Sequence, residues 1–279
     1  PKESRISAVK QLKENGVADT VQKRERKITR MDLFRVFLRS FFIQSVWNYR
    51  SLISIGFGVA LFPVVRRLYI EPSERRECLS RHLKFFNSHP YLASYALGVS
   101  AHLEEASANG DETACKKLER VKTLLVGTLG AVGDSLFWYR IKPFTLILGV
   151  SLLMLTSEPL TAAFILVLVF LLYNVPHIFL RWKGLVDGYD KGPKIISEFP
   201  IERFRKVGAF YRFIGISGFI LFLVLLMRTL LEENMVHATV LPVLTLGSIL
   251  AHVYIRNFYL TVSLIMLLAI AAGFVNLTL

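Results

Sequence analysis

The strongest constraint on this chain is the length of its uninterrupted apolar runs. Residues 143–156 and 158–180 are parted only by Ser157-Glu158, and three more runs follow at about 207–227, 235–255 and 258–279. A run of about 20 apolar residues matches the hydrocarbon thickness of a bilayer and leaves no polar face for a soluble fold. Within 279 residues, 53% hydrophobic and with a mean hydropathy of +0.46, such runs predict an all-α, polytopic membrane protein. The net charge of +13 suits an anionic partner. Because the apolar residues are gathered into runs, that partner is read as a lipid surface and not as nucleic acid.

Four segments are expected. Residues 1–50 form a basic amphipathic N-terminal arm, with Lys10, Lys13, Lys23, Arg24, Arg26 and Lys27 ahead of a Thr29–Asp32 capping box. The helix that follows carries Phe34, Phe37 and Phe41 on one face and Arg35 and Arg39 on the other, a pattern suited to the membrane interface. With no apolar h-region in the first thirty residues, no signal peptide is read and the N-terminus is expected in the cytoplasm. Residues 51–122 comprise a short apolar helix, re-entrant or buried in protein, and charged cytoplasmic helices that read as a linker. Residues 123–206 hold a Gly-Asp-Ser segment, a helical hairpin, and a cytoplasmic loop at 181–206 whose seven Lys and Arg outnumber four acids, so it should lie inside. Residues 207–279 supply the C-terminal transmembrane helices. The two cysteines, Cys78 and Cys115, are read as reduced thiols without structural importance.

Soluble-enzyme chemistry is missing from the motifs: there is no phosphate loop, no His-Glu-x-x-His pair, and no nucleophile matched with a base. Gly127, Gly130 and Gly133 lack dinucleotide-binding spacing and suit close helix packing in lipid. Asp134 is a carboxylate in an apolar run, which costs about 2.5–3.5 kcal/mol unless it faces protein or water. It reads either as an acceptor for substrate hydroxyls or as a helix cap. Gln44, Trp47, Asn48 and Tyr49 combine amides and an indole, which bind and stack on sugars; the same residues also suit an interfacial aromatic belt. His89, in Asn87-Ser-His89-Pro90-Tyr91, reads as a capping or hydrogen-bonded structural histidine rather than a phosphorylation site.

Together these stretches resemble a known family. Phe37 to Tyr49 with Gly56-Phe57, Arg81 to Tyr91, Gly127 to Trp138, and Tyr173-Asn174-Val-Pro176 with Arg181, Gly184, Gly188-Tyr189 and Gly192 are similar, in order, to four blocks of subunit IID of the mannose/fructose/sorbose-family sugar phosphotransferase system. Thr128 stands where the family has a proline, and Tyr139 to Pro143 depart from its small residues. The resemblance implies an obligate membrane subunit IIC, a trimer of IIC–IID pairs in the bacterial cytoplasmic membrane, and a mannose-type hexose as cargo. It implies phosphate relayed by soluble IIA and IIB, so no phosphoryl-carrying residue, cofactor or metal is expected in this chain. It places Gln44, Trp47, Asn48, Asp134, Ser135 and Trp138 near the sugar path or the IIC contact. Asn87, His89, Gly127, Gly133, Asn174 and Pro176 remain structural or capping candidates. A IID-like scaffold without transport is the alternative; a lipid-acting enzyme would need an acid–base pair that the sequence does not offer.

Overall fold

The computed structural model describes residues 27–233, so the basic arm 1–26 and the runs expected at 235–255 and 258–279 lie outside the described residues. Every regular element in that range is helical: α1 (Arg30–Ser40), α2 (Ser54–Leu68), α3 (Pro72–His82), α4 (Ala93–Ala108), α5 (Ala114–Gly133), a π-helical stretch (Asp134–Ile141), α6 (Lys142–Leu153), α7 (Pro159–Lys191), a 3₁₀ turn (Gly192–Ile196) and α8 (Ile201–Glu233). Among the described residues, three helical runs are long and apolar enough to cross a membrane: Ala114–Leu153, Pro159–Ile196 and Ile201–Thr229. The first joins the Gly-rich segment to the next apolar run, which the sequence suggested were separate. The chain divides into two compact units, residues 1–142 with 170–210, and residues 143–169 with 211–279.

In the first unit, α1 opens on the Thr29–Asp32 capping box, each partner bonding the other's backbone. Its buried side is Leu33, Val36 and Ser40, while Phe34 and Phe37 sit edge-on to Trp182 of α7. The helix is thus packed on protein as well as amphipathic. The α2 helix is 15 residues, about 22 Å at 1.5 Å per residue, too short to span. Its Phe57, Ala60, Leu61, Val64, Val65 and Leu68 are fully buried, so protein, not lipid, surrounds it.

Residues 71–122 are not a solvated linker. The α4 helix within them is the most buried element of the unit, with Leu97, Ser100 and Glu104 inaccessible to solvent. Glu104 accepts from Tyr69 Oη at 2.6 Å and Arg81 Nη2 at 3.0 Å, and lies 2.9 Å from His82 Nε2. Burial alone would raise its carboxyl, but the hydrogen bonds from His82, Arg81 and Tyr69 overcome that and hold it at about 2. Burial keeps His82 neutral, so its Nε2–H donates. Cys78 is buried beside this carboxylate, which with burial pushes its thiol up; the residue belongs to the core, contrary to the sequence reading. Cys78, His82 and Glu104 lie within 4.8 Å of one another, yet both carboxylate oxygens are engaged and a guanidinium stands at 3.0 Å, an arrangement hostile to a metal cation.

A second constraint sits where α4 crosses α7. A Cβ on Gly98 would overlap the backbone of Leu185 and Tyr189, and one on Gly188 would overlap the Tyr95 carbonyl. Gly98 and Gly188 thus let the two backbones touch, and Gly184, one turn before Gly188, makes room for the Ser94 and Tyr95 side chains. Beyond the crossing, His102 Nδ1 donates to the Tyr189 carbonyl at 2.8 Å, and Gly192, at φ +54, ends α7. The stretch 181–191 is therefore helix and not loop. In the second unit, Ser151 Oγ donates to the Gly218 carbonyl at 3.1 Å, and a Cβ on Gly215 would overlap Phe144, so α6 and α8 also pack closely.

Two outcomes follow. Replacing Glu104 with Gln removes a buried anion from its arginine and is expected to destabilise the protein by about 3 kcal/mol, read from detergent-solubilised thermal unfolding. Because the folded carboxyl titrates at about 2 against 4.5 in the free group, its contribution is complete above pH 4.5 and is lost as pH falls toward 2. The gap between wild type and Glu104→Gln should therefore close over that range; a pH-independent gap would contradict the network. Gly188→Ala should lower the unfolding midpoint, with overpacking costing about 1–3 kcal/mol. Gly127→Ala, where no described atom lies within 4 Å of the new methyl, should leave it unchanged or raise it.

Candidate functional site

Three of the sequence candidates, Asp134, Ser135 and Trp138, lie on the π-helical stretch that continues α5. Its defining bond runs from Lys142 N–H to the Phe137 carbonyl, five residues back. A π-turn widens the helix and brings residues four apart near one face. Here Asp134 and Trp138 both lie at the surface of the protein, Trp138 at 40% exposure. Asp134 has helical dihedrals and lies in line between two helical segments, and the N-cap position of the π-helical stretch falls to Gly133, so Asp134 does not open a new helix as its N-cap. Ser135 Oγ accepts from Arg140 Nη1, and the same guanidinium reaches the Ser135 carbonyl at 2.6 Å. Its hydroxyl is thereby held against the helix.

Behind the exposed pair is a buried cluster drawn from distant parts of the chain. His89 stacks on Phe137 with ring centres 5.1 Å apart and lies 5.5 Å from the Trp138 ring. Tyr91 meets Phe137 edge-on at 4.8 Å and stacks on His177 at 4.4 Å. Its hydroxyl lies 2.8 Å from that of Tyr173. Arg181 places its guanidinium 4.7 Å from the Phe41 ring and 5.1 Å from Tyr91, and donates through Nη1 to the Ser40 carbonyl and hydroxyl. Lys142 Nζ covers another face of Trp138 at 4.9 Å. The indole is thus clamped while two-fifths of it stays open.

Gly133 is what allows this contact: a Cβ there would run into the His89 ring. His89 itself is 2% exposed, and its carbonyl accepts from Leu92 and Ala93 at the start of α4. Burial and the nearby Arg181 cation depress it to about 4, so it is neutral at pH 7. Its Nδ1 accepts from Tyr91 N–H at 3.3 Å, which puts the proton on Nε2. Asn174 Nδ2 donates to the Phe170 carbonyl at 2.8 Å, which fixes its oxygen toward His177 Nε2 at 3.0 Å. His89 Nε2, His177 Nδ1 and Arg181 Nε are buried without a partner among the described residues. Pro176 lies within α7 beside His177.

The other candidates stand elsewhere. Gln44 is exposed in the turn after α1, and Trp47, 48% exposed, pairs only with Tyr49 among the described rings. Asn48 spends its side chain on its own turn, accepting from Arg50 N–H at 3.0 Å and Ser51 N–H at 2.9 Å. Asn87 is exposed, and Gly127 and Gly130 face open space instead of a helix. Ser40, Tyr91, Phe137, His177 and Arg181 were not singled out as site residues from the sequence. The available signal was ionisable residues one turn apart, His177 and Arg181, closing an apolar run.

A family model for the mannose/fructose/sorbose family IID component of the phosphotransferase system matches residues 27–277. The mannose-specific EIID component of Escherichia coli (strain K12) is 38% identical over 186 residues, 65% of this chain and 63% of that protein. The fructose permease IID component of Bacillus subtilis (strain 168) is 32% identical over 186 residues, 66% of this chain and 65% of that protein. Both matches span less than two thirds of the relatives' own length. A chain in the cryo-EM structure of the mannose transporter ManYZ with microcin E492 superposes with a TM-score of 0.56 at 27% identity, covering 90% of this chain and 98% of that one. With four sequence blocks meeting around His89 and a match over nearly all of its length, the chain belongs to the mannose/fructose/sorbose family of phosphotransferase-system IID components.

Proposed function

We propose that this chain is the IID half of a hexose translocation unit in the bacterial cytoplasmic membrane, with its N-terminus in the cytoplasm and a IIC subunit as its obligate partner. Soluble IIA and IIB subunits would supply the phosphate, and three IIC–IID pairs would form the complete assembly. The cargo is a mannose-type hexose. The observation that carries this reading is the exposed pair Asp134 and Trp138 on the π-turn, backed by the His89–Tyr91–His177–Arg181 cluster.

An indole held in place offers an apolar plane to the C–H face of a pyranose, and a carboxylate beside it accepts from ring hydroxyls. The buried cluster fixes the indole's inner edge, so little side-chain entropy is left to lose on binding. Ser135 acts by tying Arg140 to the turn. Gln44 and Trp47 form a separate exposed group suited to the IIC contact, where interfacial tryptophan is favoured, and Asn48 supports it by fixing the turn that carries them. The open glycine face at Gly127 and Gly130 suits close approach of a partner helix.

The test is sugar uptake by the co-expressed IIC–IID complex. Asp134→Asn should assemble normally and lose transport by about tenfold or more, the worth of one charge-assisted hydrogen bond. Trp138→Ala should raise the KM for hexose by about tenfold through loss of stacking, with Trp138→Phe intermediate. Unimpaired uptake in both Asp134→Asn and Trp138→Ala would overturn the assignment. Normal assembly of a wild-type complex that carries no hexose would favour the scaffold reading.

A further inference from the structure

A second site lies apart from the π-turn, where α5 passes from its charged to its apolar half. A cavity of about 420 Å³ is lined there by Arg81, Lys84, Phe86, Glu119, Lys122 and Val126, together with Phe85 and Thr123. Lys122 is 8% exposed, and its Nζ sits 4.8 Å from the Phe57 ring centre and 5.5 Å from that of Phe86. Ring faces partly compensate a buried ammonium, but they do not neutralise it. The acids nearby are already committed. Glu104 serves Tyr69, Arg81 and His82, and Glu119 pairs with Lys84 at the surface. Among the described residues, no carboxylate lies within ion-pair distance of Lys122, which leaves a buried cation opening into a cavity.

We propose that this cavity binds the phosphate of an anionic phospholipid headgroup, with Lys122 as the buried counter-charge and Lys84 at the mouth. Two features select a lipid over a free anion. The walls beyond the cations are apolar, from Phe85, Phe86 and Val126, and Phe85 is 65% exposed. After Thr123 the helix carries no charge from Leu124 through Gly133, so the lysine marks the level where polar helix gives way to apolar helix. A headgroup at that level would place its acyl chains along the apolar run. Basic pockets of this kind, at the end of a membrane helix, suit phosphate-bearing lipids.

The experiment uses the co-purified IIC–IID complex, delipidated in mild detergent, with thermal unfolding followed on titration of lipid. Phosphatidylglycerol should raise the midpoint saturably, while phosphatidylcholine, inorganic phosphate and glycerol 3-phosphate at matched concentration should not. Lys122→Gln should weaken the phosphatidylglycerol response by about tenfold, the worth of one charge-assisted contact. Lys84→Gln, at an exposed position where folding is not at stake, should weaken it several-fold, and Lys116→Gln should leave it unchanged. Equal responses to the anionic and zwitterionic lipids, or unchanged responses in both the Lys122 and Lys84 variants, would overturn the site. Full reproduction by soluble phosphate would overturn its assignment to lipid.

Discussion

The candidate site depends on one close approach, the backbone of Gly133 against the ring of His89. Any side chain at that position would lift the π-turn off the histidine, and the turn would lose the stacked Phe137 and the clamped Trp138 together. His89 has little room to yield, because its ring packs against both Phe137 and Tyr91, which also touch each other, while its carbonyl starts α4. Tyr91 is held in turn by His177 and Arg181. A single glycine therefore couples an exposed turn to a buried network that reaches α7 and the end of α1. Interiors transmit such displacements because they are close-packed and have little room to absorb them.

Polar groups buried in an apolar unit need compensation, and this protein supplies it in two ways. Glu104 is met fully, by a phenol, a guanidinium and an imidazole, and behaves as a structural anion that locks α2, α3 and α4. The cluster of His89, His177 and Arg181 is met only in part, by ring faces, Ser40, Asn174 and the Tyr91 N–H, and among the described residues three of its nitrogen atoms have no partner. Full satisfaction rigidifies; partial satisfaction leaves hydrogen-bonding capacity for something else. Among the described residues, the Glu104 network itself leaves His82 Nδ1 without a partner, so the two clusters differ in degree: the carboxylate is saturated, whereas the second cluster holds its one guanidinium without any anion.

The long runs made the membrane helices legible, because a period-free apolar stretch of that length has few other folds open to it. The capping box at Thr29 was equally local and equally readable. What escaped was everything set by distant pairing. Glu104 looks solvated in sequence, with Glu105 and Asn109-Gly110 close by, and only the packing of α2 and α3 over it makes it buried. Asp134 sits at a position where a cap is a fair reading, until the helix is seen to run straight through it. The family resemblance located four blocks in order, yet gave no sign that His89, Tyr91, His177 and Arg181 meet. Asn48 shows the converse, since an amide chosen for its sugar chemistry is consumed by its own turn.

The direct test is optical. The chain holds three tryptophans, Trp47, Trp138 and Trp182, so replacing Trp47 and Trp182 by phenylalanine in the assembled complex leaves Trp138 as this subunit's own reporter. If the π-turn presents that indole to the cargo, adding hexose should change its fluorescence saturably, and the Asp134→Asn variant should need a higher sugar concentration for the same change. A Trp138 signal that does not respond to hexose, in a complex that still transports it, would contradict the site.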